Sequence, residues 1–149
     1  MEGDRRRVQA LQALIAGSII NGQPEFLAIQ SEFQAVYDRR GVRNLNGRRL
    51  LQVLHAFRAL DSSLQALLVA DGQSRSTSIG GTLNQLTSHG VNRTGLKLTG
   101  PLRAQHQKNV ADVRNAYLHS AGLFPASGGE VSDILHRLES CLQDVINLT

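Results

Sequence analysis

The sequence has no tryptophan, and its 149 residues hold one cysteine, one methionine and three prolines. Aromatic residues make up 4% of it, so a core has to be built mainly from Leu, Val, Ile and Ala. That aliphatic bias suits helix packing better than a β-sandwich. The lone Cys141 excludes an internal disulfide framework and a four-cysteine zinc site within one chain, and a reducing, cytoplasmic setting is expected. Long apolar runs are missing as well. The longest, Leu11 to Ile20, is too short to span a bilayer and carries Gln12, Gly17 and Ser18, so no membrane partner is expected. Arg5, Arg6 and Arg7 precede that run in the order of a secretory leader. The run is only weakly hydrophobic, however, and continues as a helix rather than into a cleavage site. Lysine is also scarce: of sixteen cationic residues only Lys97 and Lys108 are not arginine. Twelve acidic residues leave a net charge of +4. That excess permits a polyanionic partner without requiring one.

What is present reads as helices joined by turns, an all-α bundle of four to five helices forming one domain over residues 1–149. A first helix is expected from about Arg7 to Ile20, stopped by Asn21-Gly22. Pro24 opens a second, with Phe26, Ile29, Phe33 and Val36 on one face, ending near Gly41. The third, from about Gly47 to Ala70, carries a broad apolar stripe through Leu50, Val53, Leu54, Phe57, Leu60, Leu64, Leu67 and Leu68. Residues 72–100 then turn rich in Gly, Ser and Thr. They are expected to form a long loop, functional or mobile, with only Thr82 to Ser88 as a short helix. Pro101 opens a fourth long helix to about Ala121, and a last one runs from Val131 to about Leu148.

The chemistry gathers on that fourth helix, in Val113-Arg114-Asn115-Ala116-Tyr117-Leu118-His119-Ser120. Asn115 and His119 are four apart and share a face, which places the amide to orient the imidazole. Lys108 and Asp112 extend the same polar stripe backwards. Arg114 projects roughly 140° round the helix from His119, and its long side chain can still swing towards a common cleft. Val110, Val113 and Tyr117 point to the core. These residue types suit RNA cleavage without a metal, because the RNA supplies its own 2′-hydroxyl nucleophile. A histidine titrates near neutral pH and can move protons, and an arginine can hold the scissile phosphate and its growing charge. One histidine does not readily act as base and acid together, so a symmetric dimer would supply the second.

Arg114-Asn115, three residues and then His119 resembles the Arg-(four to six residues)-His motif of the HEPN superfamily, with a polar Asn directly after the Arg. Its place late in a helical bundle, with one more helix to follow, is similar as well. The resemblance implies a HEPN-like fold and a metal-independent endoribonuclease, with neither metal nor cofactor. It implies a homodimer whose two motifs face each other across the active cleft, often within toxin–antitoxin or phage-defence systems. An antitoxin or regulatory protein would be a further partner. The superfamily also contains inactive members, so the rival expectation is a non-catalytic module that binds a partner protein or nucleotide.

Several residues outside the motif carry two readings. Asp61, at the edge of the third helix's apolar stripe, either pairs with Arg114 and fixes its guanidinium or is merely solvated. Arg39, Arg40, Arg43, Arg48 and Arg49 cluster in the connection between the second and third helices. With Lys108 and Arg5–Arg7 they form either an RNA-binding rim or an ordinary solvated surface. The 72–100 segment either covers the cleft or binds an antitoxin, or else is disordered. His55, His106 and His136 stand at no metal-ligand spacing and read as surface or packing residues. Cys141 reads as a small core residue, and Gly80-Gly81 lacks the Lys-Ser/Thr of a phosphate loop.

Overall fold

The computed structural model describes residues 2–38 and 44–149, and among them every regular element is helical, with no strand. The chain order is α1 (Glu2–Ala16), a 3₁₀ turn (Ile19–Gly22), α2 (Phe26–Asp38), α3 (Leu45–Ala70) and α4 (Ile79–Ser88). Then come α5 (Gly100–His106), a π-helical turn (Gln107–Ala111), α6 (Asp112–His119) and α7 (Gly128–Ile146). The expected all-α bundle is what the chain forms. No helix of the described residues is long and apolar enough to cross a membrane.

Local chemistry explains most boundaries. Ser18 ends the first helix early, because its hydroxyl accepts from Ile20 N (3.2 Å) and starts the 3₁₀ turn. Asn44 caps α3 by accepting from Gly47 N (3.1 Å), so α3 begins slightly before its apolar stripe. Ser127 caps α7 through Glu130 N (3.1 Å), and Glu130 returns to Ala126 N (2.7 Å), a near relative of the Ser-x-x-Glu capping box.

α3 is the axis of the molecule, about 39 Å long at 1.5 Å per residue. It packs against α2 and α7, and also touches α4 and α6. From Ser63 to Leu68 all six residues are buried, so this half of α3 is enclosed on every side. α1 closes the bundle by lying against α2 and α7. The core unites Leu11 and Ile15 of α1, Phe33 of α2, Phe57 and Leu64 of α3, and Leu138 and Leu142 of α7.

The segment expected as a long loop is built into this core. It contains the ten residues of α4, and Ile79, Leu83, Leu86, Val91 and Leu98 are all buried. Three polar ties hold it. Gln65 of α3 accepts from Ser76 N (2.8 Å) and donates to Ser76 Oγ (2.9 Å). Asp71 accepts from Asn92 N (2.7 Å), Arg93 N (3.1 Å) and Gln73 Nε2 (2.6 Å). Leu98 N closes the segment by donating to Leu86 O (3.0 Å). Gly90 makes this return possible: its φ is +81°, and a Cβ there would lie 2.4 Å from Leu96 O.

Gly90→Ala should therefore destabilise the fold by about 2 kcal/mol or more, read as a lowered midpoint in urea, whereas an alanine at the open Gly128 should change little. Acid should weaken the same region. Burial alone would raise the pKa of Asp71, but hydrogen bonds from Gln73, Asn92 and Arg93 outweigh it and hold the carboxyl below its ordinary value. Its stabilising contribution is thus complete above about pH 4 and lost as pH falls through the folded pKa. Asp71→Asn should cost about 1–3 kcal/mol at pH 7 in denaturant titrations and reduce the dependence on acid.

Candidate functional site

The motif lies on α6, and the turn before it sets its direction. A π-helical turn carries an extra residue, so side chains on either side fall out of ordinary helical register. Gln107 marks the change by donating to Asp112 Oδ1, five positions ahead, at 2.9 Å. Beneath this turn His106 is buried, its Nε2 2.7 Å from Asp144 Oδ2 on α7. At the far end Tyr117 is buried and donates to Glu130 Oε1 (2.7 Å), which joins α6 to the first turn of α7. The helix is thereby pinned at both ends. Burial, reinforced by the bond to Glu130, pushes the Tyr117 phenol up to about 12.

Arg114 is half-buried, and its Nη1 donates to Asn115 Oδ1 at 3.0 Å. The amide thus orients the guanidinium of its neighbour and not the imidazole of His119, as the four-residue spacing had suggested. Three hollows share residues end to end around this pair. The first, about 360 Å³, is lined by Ser78, Gly80 and Asn84 of the α4 region, Gln107, Arg114 and Asn115. The second, about 220 Å³, is lined by Leu54, Phe57, Arg58, Asp61, Arg114 and Leu118. The third, also about 220 Å³, continues from Arg58 and Asp61 to Glu25, Glu32 and Arg75. Gly80 permits the close approach of α4 to the π turn, since a Cβ there would meet Gln107 Oε1 at 3.0 Å. The Gly/Ser-rich segment therefore supplies one wall of the hollow that Arg114 faces.

The other expected site residues are scattered. Asp61 and Arg114 line one hollow, but no ion pair joins them among the described residues; Asp61 Oδ1 accepts a long bond from Gln65 Nε2 (3.4 Å). His119 is the last residue of α6, is exposed, and lines none of the three hollows. Lys108 is exposed on the π turn that precedes α6. Arg48 and Arg49 line a separate hollow with Asp4, Gln52 and Ser132, and Arg49 donates to Ala126 O (3.1 Å), bracing the chain after α6. Arg39, Arg40 and Arg43 lie outside the described residues. Arg7 bonds His136 Nδ1 (3.0 Å) on α7. His55 meets Glu32 Oε1 at 2.8 Å.

Burial pushes the Cys141 thiol up to about 12, with the charge of Asp144 adding to the effect, so this residue is packing material and not a nucleophile. Among the described residues no three of His, Cys, Asp and Glu are grouped to hold a metal ion. Reading residues singly missed Asn115 as a partner of Arg114 and the contribution of Gly80, whereas His106 is one of the packing residues it allowed. The adjacency of Arg114 and Asn115 was a usable signal; the other depends on contacts between distant segments.

No family model, curated protein or solved structure matches the chain.

Tyr117→Phe tests the pinning of α6. It leaves Glu130 Oε1 short of a donor and should cost about 1 kcal/mol in thermal or denaturant unfolding at pH 8. The phenol ionises earlier in the unfolded chain than in the folded one. The wild-type advantage should therefore be complete below pH 10 and shrink as pH rises towards about 12.

Proposed function

We propose that this chain is a HEPN-type endoribonuclease that cleaves RNA without a metal. The observation that carries this reading is the seating of Arg114. Its guanidinium is oriented by Asn115 at the junction of two hollows, on a helix pinned at both ends. A fork of donors held this way can grip a phosphate and receive the charge that develops on it. The 2′-hydroxyl of the RNA attacks the adjacent phosphorus, the 5′-oxygen departs with a proton, and a 2′,3′-cyclic phosphate and a 5′-hydroxyl remain. His119 is the proton-transfer residue.

A homodimer with the cleft between its copies completes the scheme. His119 has no hydrogen-bond partner among the described residues, and its neighbours Leu118, Leu123 and Phe124 are 44%, 38% and 37% exposed. Apolar groups exposed beside a reactive histidine favour a contact surface there. One His119 would then take the 2′-hydroxyl proton while the other serves the leaving oxygen. Lys108, Arg48 and Arg49 would meet outlying phosphates. The setting would be cytoplasmic, in a toxin–antitoxin or phage-defence system with an antitoxin or regulatory partner. One observation favours a second reading, a non-catalytic module that binds a nucleotide or partner protein: His119 lies outside the hollows lined by Arg114.

The two readings separate on RNA incubated in excess EDTA with wild type, His119→Ala and Arg114→Ala. The enzyme should leave 2′,3′-cyclic phosphate ends, and each variant should lose about 100-fold or more in rate with unchanged helical circular dichroism. Cleavage undiminished in both variants, or intact RNA throughout, would count against the nuclease.

A further inference from the structure

The hollow between α3 and α6 has a makeup unlike its neighbours. Its walls are apolar, from Leu54, Phe57 and Leu118, and its rim carries Arg58, Arg114 and Asp61. Phe57 is almost wholly buried and forms the floor, while Leu118 stands open to solvent. Asp61 is half-buried, and the sole hydrogen bond it accepts among the described residues is the long one from Gln65. One carboxylate oxygen therefore faces no donor of the protein.

We infer that this hollow binds a single unstacked guanine base, with Asp61 reading its Watson–Crick edge. This deepens the ribonuclease reading and rests on it for the class of ligand. Three features point to the occupant. The volume of about 220 Å³ falls below the roughly 300–1,000 Å³ of pockets that enclose a drug-sized molecule, so it suits one flat ring system with the sugar and phosphate outside. Apolar walls beside an arginine plane are what an unstacked RNA base uses for stacking. An ionised carboxylate only accepts hydrogen bonds, so it selects an edge that offers donors side by side. Guanine alone among the four bases does so, through N1–H and the exocyclic N2 amine. Adenine and cytosine put an acceptor beside their amine, and uracil flanks its single N–H with two carbonyls.

The position agrees with the neighbouring chemistry. Arg114 lines this hollow and the larger one towards Gly80 and Asn84, so a base seated against Asp61 leaves its own phosphate beside the guanidinium. Arg58, with 78% of its side chain exposed and 3.6 Å from Glu32, can fold over the base as a lid. Asp61 is thus a specificity-determining residue for cleavage next to guanosine, and not a brace for Arg114.

Binding tests this apart from cleavage. GMP, IMP and AMP are titrated into the full chain and followed by amide chemical shifts, for wild type, Asp61→Asn and Asp61→Ala. GMP should bind about tenfold or more tightly than AMP, and IMP, lacking the N2 amine, should fall between them. The perturbed amides should centre on Leu54, Arg58, Asp61 and Leu118. Asp61→Asn, which keeps the size of the side chain, should abolish the preference for guanine while leaving the shifts of the rest of the chain in place. Equal affinity for GMP and AMP, a preference that survives Asp61→Asn, or shifts centred elsewhere would each overturn the inference. A guanine preference found in a chain that leaves RNA intact would sustain the pocket and remove the nuclease. Cleavage with no preference for guanosine, together with equal nucleotide binding, would do the reverse.

Discussion

The enclosure of one half of α3 is the constraint on which the other elements depend. A helix with six consecutive buried residues, Ser63 to Leu68, has no solvent face and needs neighbours on every side. α2 and α7 supply two of them, and the long connection after Ala70 has to supply another. Polar residues inside that enclosure must also find partners, because an unsatisfied buried group costs about 1–3 kcal/mol. Ser63 turns its hydroxyl back to Ala59 O (2.6 Å), and Gln65 finds Ser76. The amide of Gln65 therefore does more than fill space: it fixes where the chain must pass after α3, and α4 follows from that path.

From α4 the consequences reach the candidate site. The first turn of α4 faces the π-helical turn, with Gly80 against Gln107, and the hollow between them opens at Arg114 and Asn115. The π turn is a costly form of backbone, and such turns recur at functional positions. Here it is anchored from below by His106 on Asp144. Its effect is to shift the register between α5 and α6. Glu130 anchors the other end of α6 through Tyr117 while also serving the first turn of α7. One carboxylate thus couples the motif-bearing helix to the last helix of the bundle.

Charge follows the same division of labour. Much of the arginine of this chain is spent on its own structure. Arg75 pairs with Glu25, Arg137 with Asp133, Arg49 with a backbone carbonyl, and Arg7 with His136. Arg114 is bonded to a neutral amide, which directs the guanidinium without neutralising it. An arginine oriented in this way retains its charge for a ligand.

The long helices could be read from the sequence because their signals are local. Apolar spacing marks Phe33 and Val36 or Leu138 and Leu142, and Gly122 marks a stop whatever the rest of the chain does. The proximity of Arg114, Asn115 and His119 along one helix was legible for the same reason. The rest depends on residues distant in sequence. Residues 72–100 have too little hydrophobic periodicity to show more than the short helix at Thr82–Ser88, and the packing of the whole segment follows because the buried half of α3 has to be covered. The sequence offered Asp61 as a neighbour of Arg114, but Asn84 has no neighbour in sequence that would assign it to a hollow shared with Arg114. The π turn leaves no compositional mark, so the side-chain register across it could not be deduced by counting residues. The sequence by itself determined an all-helical chain and the chemistry carried on α6. Tertiary structure decided which of those groups meet, because that is settled by burial and hydrogen-bond satisfaction between segments far apart in the chain.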